Sequence, residues 1–470
     1  MKPLHSILRQ APTVAAPSRP AYFIMLALLL TGFLTVGGAR DDLVSLFFWR
    51  PLSVLLLSLA ISLYWRDAWT NGRGLLIFAF AVVLLIILHL IPLPPAIWTS
   101  LPGRDIIAAI YRDGGMALPW QPLSVAQART WNALFSLAGP LAMVIVVLAL
   151  DEHWQRRLLL AIIILGFFTG ILGVLQAVGP PNGPLYFYRI TNNGVSVGLF
   201  ANRNHQAAFL ATMYPLIAAY LSFFKGKPDQ LFFQRAIALA GGLLLVPLIL
   251  MTGSRAGLFL ALLGLLLAWW VYRPPVAEVR AANRLMDHRK RLITFSLALA
   301  FLAVVVVVVV RSPALERLVA TDPAGELRLR AIPILWDAIQ RFFPFGSGHG
   351  TFVEVYQLYE PDQFITSSYF NHAHNDFIEL ALTAGVPGLA LLLWAGILGL
   401  YSLLSLSRNR STARGERGFT AQVYGRAGFS IVAMLALYSA ADYPLRVPSI
   451  MLFVAVAASW CSIAYRSARK

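Results

Sequence analysis

The stretch LLIFAFAVVLLIILHLIPL at residues 75–93 decides the fold class. It contains no charged residue, and as a helix it is long enough to cross the roughly 30 Å hydrocarbon core of a bilayer. The whole chain of 470 residues has a similar character, with 58% hydrophobic and only 13% charged residues. This composition excludes an ordinary soluble enzyme and indicates an integral membrane protein.

Apolar runs of comparable length recur along the chain. Because lipid requires the backbone to form its hydrogen bonds internally, we interpret them as helices. We therefore predict an all-α polytopic membrane protein with about twelve transmembrane helices. The predicted spans are 21–38, 51–65, 75–93, 131–150, 158–178, 205–224, 236–252, 256–272, 292–310, 377–404, 427–442 and 447–465.

These spans divide the chain into four parts. Residues 1–20 form a polar and basic cytoplasmic N-terminal segment, and residues 21–310 contain predicted transmembrane helices 1–9. Residues 311–376 form a large periplasmic loop between spans 9 and 10. Residues 377–470 contain helices 10–12 and a short cytoplasmic tail. Since loops of this length usually carry function, we expect the functional site there.

The distribution of basic residues predicts the orientation. All five lysines lie in segments predicted to be on one side, whereas the basic residues predicted on the other side are all arginines. By the positive-inside rule, both termini are cytoplasmic. The net charge of +17 thus reflects topology and does not indicate nucleic-acid binding. Outer arginines suit bidentate binding of phosphate or carboxylate.

The large loop contains two recognisable patterns. ELRLRAIPILWDAIQRFF at residues 326–343 predicts an amphipathic helix. FGSGHGT at residues 345–351 predicts a tight turn, because no Gly-Lys-Ser/Thr follows to make it a nucleotide-binding loop.

The densest polar cluster, SSYFNHAHND at residues 367–376, ends where a predicted span begins. Histidine exchanges a proton near neutral pH, so His372 or His374 is a predicted general base. The alternative is a His-x-His-x-Asp metal site, in which alternate residues face the same way. Since only His349 accompanies the cluster on the outer side, we predict no metal.

Three polar residues follow the histidines. Asn375 is placed to cap the next helix, with Asp376 and Glu379 in its first turn. This structural interpretation accounts for all three residues. Alternatively, Asp376 or Glu379 holds the imidazole of His374 in the correct tautomer.

Several arginines lie at outer ends of spans. Arg255 lies in TGSRAG between two predicted spans, where the glycines allow close backbone approach. Arg203 and His205 begin another span in GLFANRNHQ, and Arg189 lies in the loop before it. Such a set could hold the pyrophosphate of a lipid-linked donor at headgroup depth. The alternative for Arg255 is contact with lipid headgroups.

In their order along one topology, these motifs resemble the O-antigen ligase and O-antigen polymerase superfamily of bacterial envelope glycosyltransferases. The resemblance implies a GT-C-type membrane fold without cofactor. It also implies a metal-independent transfer of glycan from undecaprenyl pyrophosphate. With a histidine among outer arginines, we predict that the transfer inverts the anomeric carbon. The motifs that carry the resemblance are PWQPLSVAQART (119–130), GLFANRNHQAA (198–208), TGSRAG (252–257), the glycine-rich 345–351, and His374-Asn375 followed by TAGVPG (383–388).

The resemblance also implies roles for individual residues. The family histidine of the large periplasmic loop corresponds to His374, and one of two outer arginines corresponds to Arg255. The second corresponds to Arg189, with Arg203 kept beside it. The implied partners are an undecaprenyl-pyrophosphate-linked glycan, a lipid A-core or other glycan acceptor, and membrane lipids. The implied location is the bacterial inner membrane, with the active site in the periplasm.

Within this superfamily we favour an O-antigen ligase. A polymerase or a protein O-glycosyltransferase shares the donor and differs in the acceptor. A small-anion transporter is an alternative of another class, and a non-catalytic envelope partner is a third. A transporter is expected to have charged or broken helices near mid-membrane. Here the ionisable residues concentrate at the outer ends, with His89 among the few inside predicted spans.

Overall fold

The computed structural model describes residues 18–226, 228–273, 323–365, 369–408 and 416–469. The described residues are mostly helical, which confirms an all-α membrane protein. Two-residue strands β1 (Pro92–Leu93) and β2 (Gln121–Pro122) pair antiparallel, with Pro92 opposite Pro122. The first helices are α1 (Ser18–Thr35), α2 (Leu46–Leu88), α3 (Pro95–Trp98), α4 (Asp105–Asp113), α5 (Gln127–Ser136), α6 (Ala138–Ala149), α7 (Glu152–Val178), α8 (Arg203–Ala211) and α9 (Met213–Ser222).

The remaining described helices are two apolar helices, then two helices of the large loop, and then three long helices up to the C-terminal end. A 3₁₀ turn, Asp362–Phe364, follows α13, and another, Pro444–Arg446, precedes the last helix. The helices are α10 (Pro228–Leu250), α11 (Arg255–Val271), α12 (Pro323–Phe342), α13 (Phe352–Tyr359), α14 (Asp376–Arg408), α15 (Glu416–Tyr438) and α16 (Pro448–Arg469).

Seven helical segments among the described residues are long and apolar enough to cross a membrane, and α11 is a shorter apolar helix. The predicted span 292–310 lies outside the described residues, and α15, which overlaps the predicted span 427–442, is not among the seven. The predicted count of about twelve is therefore not confirmed and stays a prediction.

Helix α2 is a hairpin and accounts for two predicted spans, 51–65 and 75–93. The Arg50 guanidinium donates to Asn132, and the His89 carbonyl accepts from the Ser124 amide at 3.0 Å. A straight helix would separate residues 50 and 89 by about 58 Å, whereas the eight residues from 124 to 132 reach at most about 29 Å. The chain therefore reverses at Gly72, whose φ of −150° and ψ of 35° are not helical.

The loops gather at two opposite ends of the helix bundle. At one end, Asn204 bonds Asp442 at 3.0 Å, and the Thr130 hydroxyl donates to the His349 carbonyl at 2.7 Å. We call this the histidine end. At the opposite end, the Thr420 hydroxyl donates to Glu152 at 2.6 Å. Segments predicted to share one membrane side thus meet at one end.

The described part of the large loop has a small hydrophobic core of its own. The predicted amphipathic helix is present as α12, although Pro333 lies inside it. Buried Arg104, from the loop after α2, donates to the Gly346 carbonyl at 3.0 Å and also to the Leu123 carbonyl, which joins the two loops. The core consists of Ala331, Leu335, Ala338, Phe342, Phe352, Val355, Tyr356, Ala373 and Leu382.

The glycine-rich segment is a tight turn, as predicted. Gly346, Gly348 and Gly350 all have positive φ, with 110° at Gly348. A Cβ atom at Gly348 would lie 2.5 Å from the Cα of Ser124, so only glycine fits there. The turn therefore packs directly against the loop that follows α2.

Candidate functional site

His374 lies at the histidine end, immediately before α14. Its Nδ1 atom is 3.1 Å from Oδ1 of Asp442, in the short segment between α15 and α16. The next residue, Asn375, accepts from the amides of Phe377 and Ile378 at 3.0 and 3.1 Å, which confirms it as the helix cap. His374 has a φ of +50°, a strained value for a non-glycine residue of the kind that concentrates at functional sites.

Asp442 joins three elements around His374. Its carboxylate accepts from the Tyr438 hydroxyl at 2.9 Å and from the Asn204 amide at 3.0 Å. Its side chain is 1% exposed, compared with 13% for His374. The carboxylate is therefore fixed by its donors, while the imidazole remains partly accessible.

The electrostatic surroundings favour a neutral imidazole beside an ionised carboxylate. Burial lowers the pKa of His374 below its ordinary value, and the hydrogen bond with Asp442 opposes part of that shift. Burial raises the pKa of Asp442, but the hydrogen bond from His374 and the positive charge of Arg328 help to lower it overall. With Nδ1 directed at Asp442, Nε2 is the ring atom left to accept a proton.

We expect Asp442→Asn to change both the rate and its pH dependence. The Asp442 charge raises the pKa of His374, so its loss lowers that pKa and moves the acid limb of the pH–rate profile to lower pH. Loss of a charged hydrogen bond, about 1.5–3 kcal/mol, lowers the maximal rate by roughly tenfold to a hundredfold. The matched control is Asp113→Asn, at an exposed carboxyl of the loop after α2. An acid limb that stays in place or moves to higher pH would contradict the pairing.

His372 forms a second and separate pair. Its Nδ1 is 3.1 Å from Oε1 of Glu379, and the same oxygen lies 3.4 Å from Arg446. The other carboxylate oxygen, Oε2, accepts from the Ala373 backbone amide at 3.0 Å. Arg446 further bonds Asp376 at 3.2 Å. The structure thus corrects the expectation that Asp376 or Glu379 holds His374, because that carboxylate is Asp442.

The two histidines do not share a ligand position with Asp376. His372 and His374 face different carboxylates, and Asp376 accepts from the Ser439 hydroxyl at 2.9 Å. Within the described ranges, no group of three or more His, Cys, Asp and Glu side chains could hold a metal ion. The alternative His-x-His-x-Asp site therefore has no geometric support there.

The Tyr443 ring lies among three imidazoles. Its centroid is 4.5 Å from that of His372, 4.7 Å from that of His374 and 5.0 Å from that of His205. Burial raises the pKa of Tyr443 to about 12, so its hydroxyl stays neutral at pH 7. His205, predicted as a supporting residue, is fully buried behind this ring.

Two of the predicted arginines begin adjacent helices at this end. Arg203 is the first residue of α8, next to Asn204, which bonds Asp442. Arg255 is the first residue of α11 and is exposed. The two helices touch near their starts, because a Cβ atom on Gly257 would lie 2.3 Å from that of Ala207. The structure therefore brings two positive charges and two helix N-termini to the histidine end.

Arg189 lies beside a different group. Its Nη2 atom is 3.0 Å from Asp42, which also accepts from Arg40 at 2.9 Å. These three residues line a cavity of about 310 Å³ whose other walls are largely apolar. The Arg40 guanidinium carbon lies 5.0 Å from the Tyr369 ring centroid, so this cavity borders the segment that carries the histidines.

Residues 240–393 match a family model described as O-antigen ligase. The resemblance to the O-antigen ligase and polymerase superfamily is confirmed. The matched segment is about a third of the chain, and it supports a glycosyltransferase activity of ligase or polymerase type. It contains Arg255 and His374 of the superfamily pattern, but it ends before Asp442. No curated protein matches the chain.

Asp442, Tyr443 and Arg446 are site residues that the sequence patterns do not predict. Their motif, Asp442-Tyr-Pro-Leu-Arg446, interrupts two apolar runs close to the C-terminus. Asp442 is the last residue of the predicted span 427–442, and nothing in the sequence connects its charge with the histidines. The sequence feature that points to them is the occurrence of a carboxylate, a phenol and a guanidinium within five residues of an otherwise apolar region.

Proposed function

We propose that the protein is an O-antigen ligase, which transfers a glycan from undecaprenyl pyrophosphate to a sugar hydroxyl of lipid A-core at the periplasmic face. The His374–Asp442 pair is the observation that carries this proposal. It provides a neutral base next to two arginine-bearing helix starts. An O-antigen polymerase would use the same chemistry on a different acceptor.

In the proposed reaction, Nε2 of His374 takes the proton of the acceptor hydroxyl. The hydroxyl oxygen attacks the anomeric carbon of the donor, and the bond from that carbon to the pyrophosphate oxygen breaks with inversion. Asp442 holds the imidazole and stabilises the charge it gains. His372, held by Glu379, packs against the Tyr443 ring, which also contacts His374.

Negative charge grows on the leaving pyrophosphate, and arginines are proposed to stabilise it. Arg255 and Arg203 act at the paired helix starts. Arg189, together with Arg40, acts at the cavity that borders the histidine segment. The apolar walls of that cavity suit the polyprenyl chain of the donor.

The proposal includes the finer topology. The protein has about twelve spans of GT-C type, both termini are cytoplasmic, and the histidine end faces the periplasm of the bacterial inner membrane. Two features support this arrangement. The lysines lie only in segments predicted to be cytoplasmic, and the described loops separate into two opposite ends.

We expect the reaction to be insensitive to chelators. Because the leaving group is good and arginines stabilise its charge, positioning suffices without a divalent ion. The measurement is the transfer rate of the purified protein in proteoliposomes, with lipid-linked donor, before and after EDTA treatment. If EDTA abolishes transfer and one metal ion restores it, this mechanism is wrong.

The proposed function is tested by deleting the gene and analysing lipid A-core, lipid-linked polymer and glycoprotein separately. A ligase is expected to leave lipid A-core without long glycan while lipid-linked polymer accumulates. If only single repeat units remain after the deletion, without longer glycan, the protein is a polymerase instead. Unchanged glycans in every fraction would overturn both and favour the transporter.

A further inference from the structure

Helix α12 of the large loop has a second apolar face that is exposed among the residues the structure describes. One face packs into the loop core through Ala331, Leu335 and Phe342. Beside it, Leu329 and Trp336 are 69% and 60% exposed. At 100° per residue, the exposed apolar residues fall in one stripe about 60° wide next to the buried face. The stripe consists of Leu329, Ile332, Trp336 and Phe343.

Charged residues form the next stripe around the same helix. Arg330, Asp337 and Arg341 are all exposed and follow one another at helical spacing. The order around α12 is therefore buried, then exposed apolar, then charged. This order is typical of a helix that lies in a membrane interface, with basic residues beside its apolar stripe.

The exposed stripe is continuous with the side of α14 that faces away from the protein. The Val386 amide of α14 donates to the Pro344 carbonyl at 2.8 Å, which holds the end of α12 against α14. Phe343 and Phe345 are exposed at this junction, and along α14 the exposed side chains continue through Leu389 and Leu393. Only 11% of the residues in an 18-residue apolar stretch of α14 are buried inside the protein.

We propose that α12 docks on the lipid surface, with its Leu329–Trp336 stripe inserted into the outer boundary between headgroups and acyl chains. The continuous surface with α14 argues for lipid as the occupant. Trp336 also has the amphipathic ring that is enriched at this depth. Docking fixes the height of the loop above the bilayer, including Arg328, whose charge acts on the pKa of His374. The inference does not depend on the glycosyl transfer reaction.

Site-directed spin labelling of the full chain in phospholipid nanodiscs tests the proposal. Cys461 is the only cysteine, so Cys461→Ser provides the background for one new label. Trp336→Cys places the label on the apolar stripe, and the matched control Asp337→Cys places it on the charged stripe one residue away. Accessibility to oxygen and to a water-soluble nickel complex is then compared.

The label at 336 is expected about 5–10 Å below the lipid phosphates, accessible to oxygen and protected from nickel. The label at 337 is expected to show the reverse. Nickel accessibility at 336 equal to that at 337 would overturn the proposal and leave the stripe for a protein or glycan partner. Leu329→Cys, two turns earlier, repeats the test without removing the tryptophan.

Discussion

His374→Ala is expected to lower the rate of glycan transfer by about 10²–10⁴-fold, the usual contribution of a positioned general base. The structure supports this role because Asp442 holds Nδ1 at 3.1 Å and burial lowers the pKa of the imidazole. The measurement is the single-turnover rate with lipid-linked donor in proteoliposomes, at equal protein level. The pH dependence of the remaining rate should lose its acid limb.

The matched control is His153→Ala, at an exposed imidazole near the opposite end of the bundle. That variant is expected to behave as wild type. If His374→Ala also transfers glycan at the wild-type rate, the general-base assignment is wrong. A comparable loss in His372→Ala alone would move the assignment to the pair with Glu379.

Arg203→Ala and Arg255→Ala are each expected to lower kcat by about 10²–10³-fold, the effect of removing one group that stabilises growing negative charge. Both residues begin helices at the histidine end, and Arg203 is next to Asn204, which bonds Asp442. Arg189→Ala is expected to have a smaller effect, because its side chain is 79% exposed and pairs with Asp42. The measurement is kcat and KM for the lipid-linked donor.

The control for this series is Arg112→Ala, which removes an exposed guanidinium from the loop after α2. If Arg189→Ala lowers kcat more than Arg203→Ala does, the binding site of the donor pyrophosphate must be reassigned to the cavity lined by Arg40, Asp42 and Arg189. Wild-type kcat in both Arg203→Ala and Arg255→Ala would remove the paired helix starts from the mechanism.

Apolar periodicity predicts the membrane class because the lipid requirement acts on each span separately. The sequence also predicts that Asn375 starts a helix, because a helix cap depends only on the cap residue and the next few backbone amides. The α2 hairpin is harder to predict as one element, because its reversal at Gly72 depends on packing against Leu148. The predicted span 292–310 lies among residues 274–322, outside the described structure, and the count of about twelve spans stays a prediction.

The site likewise contains residues that local sequence predicts and residues that only contacts distant in sequence bring together. Both histidines are visible in sequence, since they stand together in a polar cluster at a helix start. Their partners are not equally visible: Glu379 follows His372 by seven residues, whereas Asp442 follows His374 by 68. Single-sequence patterns do not report contacts across such separations. The choice of Asp376 or Glu379 for His374 failed for that reason.

The separation of His374 from Asp442 also has a consequence for biogenesis. The ribosome makes His374 first, and α14 and α15 must be placed before the Asp442 carboxylate reaches it. A nascent or prematurely terminated chain that ends before residue 442 thus contains the base without the group that orients it. Such a chain is expected to enter the membrane and yet, under the proposed function, to lack most of the transfer activity. Under the proposed function, we therefore expect transfer activity to appear only after the hairpin of α15 and α16 has been inserted.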